Sequence, residues 1–134
     1  MTDNSLKQWV VMHLKHKDLL KKEIIEIRDD EKKLFVKTSR GAWTVHVREH
    51  LDNVPLIGDD LKTMIFCFNT EKNKEWLLSH WKELKKEGVT LYFVNPSSVT
   101  ERFWAITPLV HSLVADESNL RQGIQSLFET VQEV

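Results

Sequence analysis

The chain has 134 residues, 41% of them hydrophobic and 29% charged, with 19 Lys and Arg against 20 Asp and Glu. That length suits one domain, residues 1–134, able to bury a core without disulfides or metal, and four Gly and three Pro exclude a low-complexity chain. A net charge of −1 excludes a protein whose whole surface grips polyphosphate, because such binding rests on surplus Lys and Arg.

The charge is unevenly spread. Residues 1–50 hold 11 Lys and Arg against 8 Asp and Glu, while residues 51–134 hold 8 against 12. A basic face built by the first half is therefore expected, with His13, His16, His46 and His50 beside it. Cys67 is the single cysteine, which removes intrachain disulfides and Cys-based zinc sites; its apolar run Met64–Phe68 predicts a buried, inert thiol. The polar N-terminus lacks a signal-peptide pattern and no window has the ~18 apolar residues of a membrane span, so a cytoplasmic protein is expected.

Ser5-Leu6-Lys7-Gln8 has the form of a capping box, and Leu6, Trp9, Val10, His13 and Leu14 recur at the spacing of an amphipathic helix. Two strand-like runs follow, 23–28 and 34–38, then a third over 42–48 after the turn Ser39-Arg40-Gly41. In the third, Trp43, Val45 and Val47 alternate with Thr44, His46 and Arg48, which predicts one apolar and one polar face. Residues 49–62 read as the longest loop. The apolar strand at 64–69, a helix over 71–87 stopped by Gly88, and the strand at 89–94 form a βαβ unit with parallel strands. Residues 102–106 return as a hairpin partner, Thr107-Pro108 opens a short helix to about Val114, and Asp116 caps a final helix. The fold class is α/β: a single mixed β-sheet, an antiparallel meander plus one βαβ crossover, flanked by helices in the order α-β-β-β-β-α-β-β-α-α.

Phosphate-binding glycine loops and the G-x-S-x-G elbow are absent. The pairs His13/His16 and His46/His50 have metal-compatible spacing, but neither lies in an H-E-x-x-H register. Asp59 and Asp60, with Asp52 in reserve, precede the buried strand, which itself ends Phe66-Cys67-Phe68-Asn69; Glu71-Lys72-Asn73-Lys74 follows, and Arg48-Glu49 closes the meander. With this element order, residues 5–106 resemble the PD-(D/E)xK, restriction-endonuclease-like superfamily. The resemblance implies a site in which Asp59, Asp60 and Glu71 hold Mg²⁺ and Lys74 assists water attack on a phosphodiester. The E-x-x-K spacing departs from that family's E-x-K, so the resemblance implies a degenerate, non-catalytic nuclease-like fold before a working endonuclease, and no cofactor unless it cuts.

Five tryptophans are many for this length, and helical or alternating spacing turns Trp76, Trp81 and Trp104 inward, with Trp43 nearer the basic half. The candidate DNA or RNA contacts are Lys15, Lys17, Lys21, Lys32, Lys33, Lys37, Arg40, His46 and Arg48. The alternative is a protein-interaction module or homodimer, with Leu127, Phe128 and Val131 of the last helix as anchors of a two-fold contact.

Overall fold

The computed structural model describes residues 2–30, 33–51 and 62–134. Six strands form one mixed sheet in sequential order: β1 (Ile24–Asp30), β2 (Lys33–Thr38), β3 (Gly41–Val47), β4 (Lys62–Phe68), β5 (Val89–Val94) and β6 (Phe103–Ile106). Strands β1, β2 and β3 pair antiparallel, β3, β4 and β5 pair parallel, and β6 returns antiparallel to β5. One helix, α1 (Thr2–Lys17), covers one face. The other face carries α2 (Glu71–Ser79), α3 (Trp81–Leu84), α4 (Pro108–Val114) and α5 (Leu120–Phe128). The fold is thus α/β with a single mixed sheet flanked by helices, as the patterning implies. Among the described residues no helix is long and apolar enough to cross a membrane.

Alternation along the strands sends side chains to two separate cores. Leu6, Val10 and Leu14 of α1 pack on Leu34, Val36, Val45, Val47, Phe66 and Tyr92, with Phe66 and Tyr92 stacked at 4.3 Å. On the other face Ile65, Cys67, Leu91, Phe93 and Trp104 meet Leu77, Trp81, Ile124 and Phe128, with Phe93 and Trp104 stacked at 4.3 Å. Each fully buried aromatic or branched aliphatic side chain contributes roughly 1.5–3 kcal/mol. Cys67 is fully buried, and desolvation pushes its thiol well above the usual range, so it is a core residue and not a nucleophile. Gly88 stops the crossover with φ +83, a conformation that L side chains rarely adopt, and its carbonyl accepts the Thr63 N–H at 2.8 Å.

The elements differ from the sequence pattern at four places. Helix α1 begins at Thr2, so Ser5 lies inside it and does not cap it. The crossover helix is broken at His80 (φ −111, ψ 18), whose Nδ1 lies 2.9 Å from the Trp76 carbonyl while its ring stacks on the indole at 4.1 Å. A side chain that engages a helix carbonyl competes with the helical ladder. Asp116 caps a 3-10 turn (Glu117–Asn119) ahead of α5, which ends at Phe128; Val131 instead bridges to Glu101. Finally, Ile124, Phe128 and Val131 are buried in the chain's own core, with Leu127 packed against it. The stripe expected to anchor a second copy is already covered.

Candidate nucleic-acid interface

Helices α2 to α5 lie over β4, β5 and β6, and no described helix covers the meander β1–β3 on that same face. The strand register shows which side chains stand there. Leu34 and Val36 are buried toward α1, so Lys33, Phe35 and Lys37 project the other way. Phe35 stands opposite Arg28 on one side and Thr44 on the other; Lys37 stands between Glu26 and Ala42; Lys33 faces His46. The Arg28 guanidinium lies 5.0 Å from the Phe35 ring centre and the Lys33 ammonium 5.5 Å. A half-buried aromatic ring is thus flanked by two cations, within the reach of cation–π attraction. Among the described residues, Arg28, Lys33 and Lys37 form no ion pair.

At the carboxyl end of β3 this face passes under the helical layer, and buried polar groups collect. His46 is 4% exposed and neither ring nitrogen has a hydrogen-bond partner. Desolvation, then the charges of Arg48 and Lys33, lower its pKa to about 4, so the imidazole is neutral at pH 7. Glu49 also has a buried, unpartnered Oε2. The backbone here is firmly held: Arg48 N–H donates to Phe66 O at 2.9 Å. Asn73 Nδ2 donates to Glu49 O at 2.7 Å, and Asn73 Oδ1 accepts from Leu51 N–H at 2.9 Å.

A buried imidazole with two unsatisfied nitrogens costs stability, and this gives a test. Its folded pKa lies below the unfolded value of about 6.5, so protons bind the unfolded chain first as pH falls. Stability contributed by neutral His46 is fully present above about pH 6.5 and is lost as pH falls towards 4. His46→Leu is expected to stabilise the protein by about 1 kcal/mol at pH 7 and to flatten its pH profile in that window. His13, also lowered to about 4 by burial, supplies the slope that remains. Melting temperatures of both proteins across the window check this; a less stable variant at pH 7 refutes it.

The structure divides the basic residues expected from sequence. Lys33, Lys37, His46 and Arg48 share one side of the sheet, Lys33 and Lys37 where no described helix covers it and His46 and Arg48 where it passes under the helical layer, with His46 buried. Lys15, Lys17 and Lys21 belong to α1 and the turn after it, beyond the opposite face. Arg40, in the β2–β3 turn, pairs with Glu23 at 3.2 Å. Lys32 lies outside the described residues, as do Asp52, Asp59 and Asp60. The sequence reading missed Arg28 and Phe35, although Glu26 and Arg28 flank the apolar Ile27.

Glu71 and Lys74 do come together, but as a strut between helices. The Lys74 ammonium is 2.8 Å from Glu71 Oε2 and 3.5 Å from Glu75 Oε2; it also donates to Gln125 Oε1 and lies 5.1 Å from the Phe128 ring centre. The buried amine is satisfied by α2 and α5 without a substrate. Neither histidine pair converges: His50 is exposed where His46 is buried, and His16 is exposed while His13 lies among Trp9, Phe66, Tyr92 and Phe103. Among the described residues no three His, Cys, Asp or Glu side chains gather as a metal site would require. The arrangement can bind an anion or stack a base, and it holds no hydrolytic constellation among those residues. Comparison with known proteins found no matching family model, no matching curated protein and no matching solved structure.

Proposed function

We propose that the chain is a nucleic-acid-binding module with a nuclease-like order of elements, one that binds without cutting. The observation that carries this reading is the meander face, which no described helix covers. Arg28, Lys33 and Lys37 stand there around Phe35 with no ion pair among the described residues, and Arg48 lies at its border. Cations neutralise phosphates and release counterions, and an aromatic ring offers a platform to an unpaired base. Near-neutral net charge fits a protein that presents one basic face and not a basic surface overall.

Fluorescence anisotropy with labelled single- and double-stranded DNA and RNA, at stepwise increasing salt, tests the reading. The expected result is binding whose logarithm falls linearly with log salt, with a slope of about three for three phosphate contacts. Salt-insensitive binding, or none at low ionic strength, overturns it. Cleavage in the presence of Mg²⁺ that Asp60→Asn abolishes would replace it with the endonuclease reading.

A second reading, a protein-binding module, draws on one feature. Helix α4 leaves Val110, Leu113 and Val114 exposed at 56, 76 and 81%. An apolar helix face of that kind is a common protein contact. Absence of nucleic-acid binding together with self-association lost in Leu113→Glu would favour this reading.

A further inference from the structure

On the opposite side of the sheet, between the last turn of α1 and strands β3 to β5, lies a cavity of about 130 Å³. Its walls include the rings of His13, Trp43 and Tyr92, and Lys17 and Lys21 stand among its lining residues. The turn that bounds it is fixed. Both oxygens of Asp18 are engaged by backbone N–H groups, Glu23 at 2.8 Å and Ile24 at 3.0 Å, and Lys22 takes φ 49 to close the turn. Glu23 itself faces Arg40. The acids that line the cavity are therefore accounted for, while Lys17 and Lys21 have no ion pair among the described residues.

Tyr92 makes this more than a packing gap. The residue is 8% exposed and its ring is stacked on Phe66, and its hydroxyl, which solvent reaches, has no hydrogen-bond partner among the described residues. A phenol that meets no protein acceptor is available to donate to a bound molecule. Burial raises the Tyr92 pKa, which keeps the phenol protonated and able to donate. His13 carries no charge at neutral pH, since desolvation and the nearby Lys17 and His16 lower its pKa to about 4. The cavity thus combines flat aromatic walls, an uncharged ring, one accessible donor and two ammonium groups that have no ion pair among the described residues.

We propose that this cavity binds a small monocyclic aromatic carboxylate carrying a second polar oxygen, such as a hydroxybenzoate. The volume sets the size: an apolar cavity of about 150 Å³ holds a benzene ring. The aromatic walls select a planar ring, Lys17 and Lys21 receive the carboxylate, and the Tyr92 hydroxyl donates to the second oxygen. The volume matches one ring, and the cavity lies on the opposite side of the sheet, which separates this ligand from the one proposed for the meander face.

The test is titration of the isotopically labelled full chain with three probes, followed by amide chemical shifts. 4-Hydroxybenzoate carries both polar groups, benzoate lacks the second oxygen, and 4-methylphenol lacks the carboxylate. The expected result is saturable shifts confined to the end of α1 and to β3 and β5, with 4-hydroxybenzoate binding tightest. Tyr92→Phe should weaken 4-hydroxybenzoate about tenfold and leave benzoate unchanged, the usual worth of one hydrogen bond. Lys17→Gln combined with Lys21→Gln, both at the surface and safe for folding, should bring 4-hydroxybenzoate down to the affinity of 4-methylphenol. Absence of saturable shifts with all three probes overturns the site. Equal affinity for 4-methylphenol and 4-hydroxybenzoate in the unaltered protein overturns the carboxylate assignment.

Discussion

Asn69→Leu is expected to lower the free energy of unfolding by about 3–5 kcal/mol, the largest stability loss anticipated for a single polar residue here. Asn69 is fully buried at the carboxyl end of β4. Its Oδ1 accepts the Trp104 indole N–H at 2.8 Å, and its Nδ2 donates to the carbonyls of Phe128, Val131 and Gln132 at 3.3, 3.0 and 3.4 Å. Its backbone carbonyl also accepts the Val134 N–H at 2.9 Å. Leucine fills a similar volume but leaves the indole donor and the tail carbonyls unpaired where little water reaches, and each such group costs roughly 1–3 kcal/mol. Urea denaturation measures the loss. Amide exchange adds a local signature: residues 129–134 should lose protection before the sheet does. A cost below about 1 kcal/mol would show that the tail finds other partners. Asn69→Asp keeps the acceptor for Trp104 and removes the donor, so it should release the tail while sparing β6.

The same network occupies the ends of the parallel strands. Open α/β sheets commonly bind ligands beyond the carboxyl ends of their strands. Here Asn69, Asn73 and Asn95 lie near those ends, and all three are engaged by the chain's own backbone, Asn69 by the Trp104 indole as well. Asn95 Nδ2 donates to Gln132 O at 3.0 Å, so two asparagines fix the C-terminal segment across β4 and β5. Asn73 fixes the segment that leaves β3. The described polar side chains at the strand ends are thereby engaged within the chain, which is why the two proposed sites lie elsewhere, on the meander flank and in the cavity beneath α1.

What the sequence reveals of this fold follows from periodicity. The α1 stripe of Leu6, Val10 and Leu14 and the alternation of Trp43, Val45 and Val47 are direct records of burial, and both lie in the core or against it as read. The unbroken apolar runs of β4 and β5 record a sheet covered on both faces. The helix break at His80 leaves no such record, because the apolar stripe runs on across it through Leu77, Trp81 and Leu84. Nor do Asn69 and Asn95 announce themselves: in sequence they look like turn residues after strands. The candidate interface was legible only in part. Lysine is compatible with any exposed position, so composition gathers Lys15, Lys17, Lys33 and Lys37 into one group, and only the register of β2 between β1 and β3 separates them by the thickness of a sheet. Arg28 was obscured by the irregularity between Ile24 and Glu26, which shifts the phase of β1 at its first residues.

That separation sets up the decisive binding experiment. The triple variant Arg28→Glu, Lys33→Glu, Lys37→Glu is expected to lose about a hundredfold or more in nucleic-acid affinity at low salt, and its salt slope should fall by about three. The variant Lys15→Glu, Lys17→Glu, Lys21→Glu changes net charge by the same amount on the other side of the sheet. If binding responds only to overall charge, the two variants lose equally and the assigned face is wrong. If the meander face makes the contacts, the second variant, compared at about 0.1 M salt, loses at most a few-fold and keeps its slope, because there charges beyond a Debye length of about 10 Å are screened. Phe35→Ala then separates stacking from phosphate contact. A base on the ring contributes roughly 1–3 kcal/mol, so Phe35→Ala should weaken single strands about tenfold or more while duplex affinity, built on phosphates alone, stays within a few-fold. Equal losses on single and double strands would leave the cations as the binding groups and reduce Phe35 to their support, since its ring is what Arg28 and Lys33 flank.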